Sequence, residues 1–266
     1  MLRTEYLEPL GLSAHALAPK EDNLSAVAVH YEKHLGPVYT WMIGDLDAAF
    51  ARARTELDEL GLEPSANGTA IDLGAGFGLH SVPLAERGYA VTAIDSYKPL
   101  LHELQLRSPS LAINAVVGDI SAFRLHVQQP VDVVLCMGDT LTHLPDFADV
   151  DSLLDDVAAA LKSGGVFATT FRDYASKPLQ GDDRFITVRS DENRILTCFL
   201  EYRADRVTVH DLLHEREKDR WRQRVSSYLK LRLHPERVVE RLTKLGFVVR
   251  LDTGMSGMVR VVGTRS

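Results

Sequence analysis

Apolar residues along this chain recur with two different spacings, and the switch between them divides the sequence. Within a helical stretch read over residues 26–60, Leu46, Phe50, Ala53 and Leu57 fall three and four apart, the spacing of one helix face. Gly61 and the polar run Glu63-Pro64-Ser65-Ala66-Asn67-Gly68 stop it. Short apolar runs then alternate with helical ones. Strands are expected at 69–73, 90–94, 112–117, 131–136 and 166–171, and helices at 79–87, 99–107 and 150–161, with Gly88 and Gly164-Gly165 as punctuation. Apolar strands separated by helices imply right-handed crossovers and a doubly wound α/β fold, its mostly parallel sheet covered on both faces.

After Phe171 the pattern changes. Residues 185–188, 195–202, 207–213 and 221–233 alternate partially and are separated by polar turns such as Ser190-Asp191-Glu192-Asn193, as in an antiparallel meander. Pro235, in the first turn of a further helix stopped by Gly246, introduces two closing strands at 247–251 and 258–262. The expected organisation is an N-terminal arm and helical lid (1–60), a core (61–181), the meander over the site (182–233), and a final helix with closing strands (234–266). The first 25 residues show no period and read as an arm.

Composition narrows the classes. Hydrophobic residues make up 45% and charged residues 25%, enough apolar material for one large core. A net charge of -7 gives no general basic field for a phosphate backbone, so nucleic acid is not expected as a partner. Cys136 and Cys198 stand in no metal or redox spacing, and no window reads as a signal peptide or membrane span, so a cytoplasmic protein without membrane association is expected. His210 and His214 would suit a metal only on a helix, and Val207-Thr208-Val209 argues strand; no metal is expected. The mixed-sign run Glu215-Arg216-Glu217-Lys218-Asp219-Arg220 reads as a solvated turn.

The chemistry begins at Asp72-Leu73-Gly74-Ala75-Gly76-Phe77-Gly78, where a strand runs into a helix. Glycines there permit a tight turn and close approach of a ligand to the backbone. A dinucleotide fingerprint would need glycine at 79, where Leu79 stands, and Asp72 would repel a pyrophosphate. A carboxylate in that place suits the ammonium end of S-adenosylmethionine. Asp95, beside Ser96, ends the second strand, where a carboxylate can accept both hydroxyls of a ribose. After the third strand, Asp119 can accept the adenine amino group while Ile120 packs on the ring.

These residues resemble the class I S-adenosylmethionine-dependent methyltransferase family over about residues 69–171. The resemblance implies a Rossmann-like seven-stranded sheet with an antiparallel last strand, S-adenosylmethionine as cofactor and S-adenosylhomocysteine as product. Cys136-Met137-Gly138-Asp139-Thr140-Leu141-Thr142-His143-Leu144-Pro145-Asp146, after strand four, is similar to a segment of the glycine N-methyltransferase family. Tyr39-Thr40-Trp41 resembles that family's element folded over the cofactor, Phe171-Arg172-Asp173-Tyr174 its turn whose arginine contacts a carboxylate, and Arg224-Val225-Ser226-Ser227-Tyr228 its strand placing a tyrosine over the site. One departure is Asp139, where the family has asparagine.

The cofactor set is therefore expected to be Tyr39, Trp41, Asp72, Gly74, Ala75, Gly76, Gly78, Asp95, Ser96, Asp119, Ile120, Cys136 and Met137. His143 and Asp139 are candidate bases, although a histidine here can equally serve only as a hydrogen-bond partner. Arg172 is a candidate clamp for an acceptor carboxylate, or the partner of a local acid. Tyr228 and Tyr31 are lid or core aromatics. The function implied is N-methylation of a small amine or amino-acid-like acceptor. O- or C-methylation of a small natural-product intermediate, or regulatory binding of the cofactor without turnover, stand as alternatives. The resemblance also permits a homo-oligomer.

Overall fold

The computed structural model describes residues 27–266. The arm expected over the first 25 residues lies outside them. Residues 27–38 form a run of helical turns, and α1 (Tyr39–Ile43) follows. The helix α2 (Leu46–Glu59) begins where Asp45 accepts a hydrogen bond from the Ala48 N–H, and it buries Phe50, Ala53 and Leu57 as the spacing predicts.

The core alternates as expected: β1 (Thr69–Leu73), α3 (Ser81–Glu86), β2 (Ala90–Asp95), α4 (Lys98–Arg107), β3 (Ile113–Val117), β4 (Val131–Cys136), α5 (Phe147–Ala160) and β5 (Leu161–Phe171). The helix α3 starts two residues later than the pattern suggests. The glycine turn continues through His80 before hydrogen bonds of helical type take over. The helix α5 starts three residues earlier, because Asp146 caps it through the Asp149 N–H.

The antiparallel meander comprises β6 (Phe185–Ser190), β7 (Arg194–Tyr202), β8 (Arg206–Glu217) and β9 (Arg220–Leu231). The expected solvated turn at 215–220 is mostly strand. Only Lys218 and Asp219 turn the chain, with Lys218 at φ 57°. Then come α6 (Pro235–Lys244), β10 (Phe247–Thr253) and β11 (Val259–Arg265).

The main sheet has seven strands in the order β10-β11-β5-β4-β1-β2-β3, with β11 antiparallel to both neighbours and the rest parallel. One face packs Ile71, Val134 and Phe167 on α5 and α6 through Leu153, Leu154, Val238 and Leu242. The other face is covered by α2, α3 and α4. The chain reverses direction across the sheet between β1 and β4, which opens a crevice at the carboxyl ends of these strands. The meander stands beside that crevice.

Among the described residues, no helix is long and apolar enough to cross a membrane.

Candidate active site

A cavity of about 310 Å³ fills this crevice, within the range of roughly 300–1,000 Å³ common for small-molecule sites. The turn after β1 forms its floor. Gly74, Gly76 and Gly78 have φ of 76°, 55° and 90°, where a side chain is strained. A Cβ on Gly74 would stand 2.5 Å from the Thr140 side chain. Gly78 has another role, because it lies outside the cavity lining and a Cβ there would stand 2.2 Å from Leu104 of α4. Gly78→Ala should therefore cost stability, about 2 kcal/mol, read as a lower thermal midpoint. An unchanged midpoint would mean that α4 does not press on the turn.

Asp95 organises this turn. One of its oxygens accepts from the Gly76 N–H at 2.8 Å and the other from the Tyr97 N–H at 2.7 Å. Burial pushes its carboxyl upward, and those N–H groups oppose the shift. Asp72 is buried and accepts from the Ser81 hydroxyl at 2.6 Å; burial raises it, opposed by His80 and Ser81. Asp119 spends one oxygen capping the turn that follows, through the Ser121 N–H. All three carboxylates line the cavity, together with Ala75, Ser96, Ile120 and Met137. No lysine or arginine lines it among the described residues. A pyrophosphate would meet three carboxylates with no lysine or arginine among the described lining residues, whereas an ammonium, a sulfonium and a ribose diol are all complemented.

Tyr31, Tyr39, His143 and Leu144 add a drier wall to the same cavity. The imidazole of His143 is packed between Tyr228, stacked at 5.4 Å, and the edge of Tyr31 at 6.0 Å. Its Nδ1 is buried without a hydrogen-bond partner. Burial, with the Lys230 charge adding to it, pulls its pKa down to about 3, so the ring is neutral at physiological pH. Tyr228 itself lies behind His143, between that ring and His30, and does not line the cavity.

Several expected site residues are placed elsewhere. Asp139 is buried in the left-handed region, at φ 76°, outside the lining. It accepts from the Arg172 N–H, the Tyr174 hydroxyl, the Thr142 hydroxyl and the ammonium of Lys230. Burial alone would raise its carboxyl, but Lys230 and these donors hold it below the usual range. A carboxylate saturated in this way is not free to take a substrate proton. Arg172 reaches Asp139 only through its backbone, and its side chain is exposed and outside the lining. Cys136 faces the core, with its carbonyl accepting from Thr169.

Trp41 points to the meander instead of the cavity. Its Nε1 donates to Asp191 at 2.6 Å, with the Arg189 and Arg194 guanidiniums over the ring. On the same side, His30 sits 2.9 Å from Ser226 and 3.0 Å from Asp211, which Cys198 also approaches at 2.6 Å. The helical segment supplying Tyr31 and Tyr39 is thus fastened to the meander. Sequence reasoning missed Lys230 and His80. Lys230 carried a signal, a lysine on the inward-facing parity of β9 with Ser226 and Tyr228.

Residues 70–165 match the family described as "Methyltransferase domain". The ubiquinone biosynthesis O-methyltransferase of Paramagnetospirillum magneticum is 34% identical over 41% of this chain and 43% of its own length. The glycine/sarcosine N-methyltransferase of Aphanothece halophytica is 29% identical over 39% of this chain and 40% of its own length. The chain thus spans less than half the length of these relatives. An amino pentose methyltransferase from Micromonospora echinaspora, solved with S-adenosylmethionine bound, superposes with a TM-score of 0.66 at 19% identity, covering 88% of this chain and 97% of that one.

Proposed function

We propose that this chain, built on a class I S-adenosylmethionine-dependent methyltransferase domain, methylates a nitrogen of a small acceptor that is uncharged where it enters the site. The observation carrying this reading is the mixed lining of one cavity, which brings the carboxylates of Asp72, Asp95 and Asp119 together with a neutral His143 whose buried Nδ1 has no hydrogen-bond partner. Asp72 would hold the cofactor's ammonium, Asp95 its ribose hydroxyls, and Asp119 with Ile120 its adenine. Bound there, S-adenosylmethionine supplies an electrophilic methyl group on a sulfonium.

The residues of the drier wall then have three tasks. Tyr31, Tyr39 and Leu144 exclude water. His143 accepts a hydrogen bond from the acceptor and orients its lone pair. With a pKa of about 3, it cannot store the proton of an ammonium at neutral pH, so the acceptor must arrive deprotonated or lose its proton to solvent. Among its described lining residues the cavity has no lysine or arginine to grip an acceptor carboxylate, which favours a neutral amine over glycine itself.

The nitrogen preference is supported by the glycine/sarcosine N-methyltransferase among the similar proteins. Transfer to oxygen is the second reading, because a neutral imidazole accepts a hydrogen bond from a hydroxyl as well as from an amine.

A methyl-transfer screen over amino sugars, simple amines, amino acids and phenols tests both. Methylated amines with little product from amino acids are expected; phenols alone would favour oxygen. No turnover with any class would contradict both. His143→Gln should lower kcat by about 10- to 100-fold without changing the shape of the pH profile. A limb between pH 5 and 8 that vanishes in the variant would instead make His143 a base.

A further inference from the structure

His80 lines the cavity at the Asp72 end, yet neither the glycine turn nor the strand-end acids account for it. It is 7% exposed, and its Nε2 lies 3.0 Å from Oε2 of Glu56, itself 2% exposed on α2. The residue that follows, Ser81, donates to Asp72, so His80 and Asp72 are held at one corner of the site. Behind Glu56 stands the buried Arg260 guanidinium, 3.8 Å from Oε1, which also donates to Asp252 at 2.6 Å and Glu59 at 2.5 Å. A buried glutamate is costly unless it is paired, and the partners facing Glu56 are Arg260 and His80.

The cofactor explains the arrangement. Its amino-acid end carries an ammonium and a carboxylate on the same carbon. Asp72 complements the first. The second would enter a cavity with three aspartates and no lysine or arginine among its described lining residues. Of the two histidines in that lining, His143 is held neutral. His80 remains the one side chain at the Asp72 corner with a ring nitrogen to offer a carboxylate, and Glu56 holds the other ring nitrogen at 3.0 Å.

Resting on the cofactor reading above, we propose that His80 receives the carboxylate of the cofactor's amino-acid end, with Glu56 as the positioning residue that orients the imidazole. The Nε2 edge is taken by Glu56, which leaves Nδ1 for the ligand.

Calorimetry with two ligands tests this. S-adenosylhomocysteine has both charged groups; its decarboxylated counterpart keeps the amine and loses the carboxylate. The wild-type chain should prefer the first by about tenfold or more. His80→Ala should weaken the first by about 10- to 100-fold and the second by less than about twofold. Glu56→Gln should show the same contrast at smaller size, and it carries the test if His80→Ala does not fold. Equal wild-type affinities, or equal losses for both ligands, would overturn the assignment and leave His80 a structural residue. Failure of the wild-type chain to bind either ligand would overturn the cofactor reading itself, a distinct result.

Discussion

Asp95→Ala is expected to weaken S-adenosylhomocysteine binding by at least about 100-fold, the largest binding effect of any single substitution considered. Two losses combine. The carboxylate at the tip of β2 offers lone pairs to the ribose diol, and two charge-assisted hydrogen bonds contribute roughly 3–6 kcal/mol. It also accepts from the Gly76 and Tyr97 N–H groups, so its removal frees the turn that forms the cavity floor. Asp95→Asn keeps one acceptor and should lose less. A titration in which both variants bind like the parent would place the ribose elsewhere.

The second large effect concerns folding. Lys230→Ala should destabilise the chain by about 3–5 kcal/mol, because it leaves Asp139 charged, buried and without its cation. For a chain of this size that corresponds to a fall of roughly 10 °C in the thermal midpoint. Asp139→Asn combined with Lys230→Met removes both charges and should recover much of the loss. A single variant as stable as the parent would show that the pair contributes little.

Its pH dependence has a definite sign. The folded-state pKa of Asp139 is held below its unfolded value, so the contribution is present above the unfolded carboxylate pKa. It fades as acid carries the pH down through the folded value. Acid unfolding of the double variant should therefore lack this component.

The pair also shows where a sequence stops being informative. Alternating apolar strands and helices, the glycine turn, and aspartates at three successive strand ends are local features. Each sits where the pattern of neighbouring residues puts it, so β1, β2, β3 and their acids were legible from spacing alone. Asp139 was legible as a departure from asparagine but not in meaning. The cation that it meets is Lys230, 91 residues away on another sheet.

Distance in sequence likewise hid the partner of Trp41, Asp191, in the turn between β6 and β7. For Arg172 the motif was visible while the side-chain direction was not: the backbone N–H reaches inward and the guanidinium points outward. His80 was overlooked because its partner Glu56 lies on a helix read only for its apolar face.

These long-range contacts share a consequence. The meander supplies Lys230 to the loop after β4, and Ser226 and Asp211 to His30, so it braces both that loop and the helical segment carrying Tyr31.

The most direct measurement is a calorimetric titration of the intact chain with S-adenosylhomocysteine and, in parallel, with NAD. One S-adenosylhomocysteine per chain is expected, with a Kd of micromolar order, and no heat from NAD. Binding of NAD in place of S-adenosylhomocysteine would contradict the assignment of the turn at Gly74, Gly76 and Asp95.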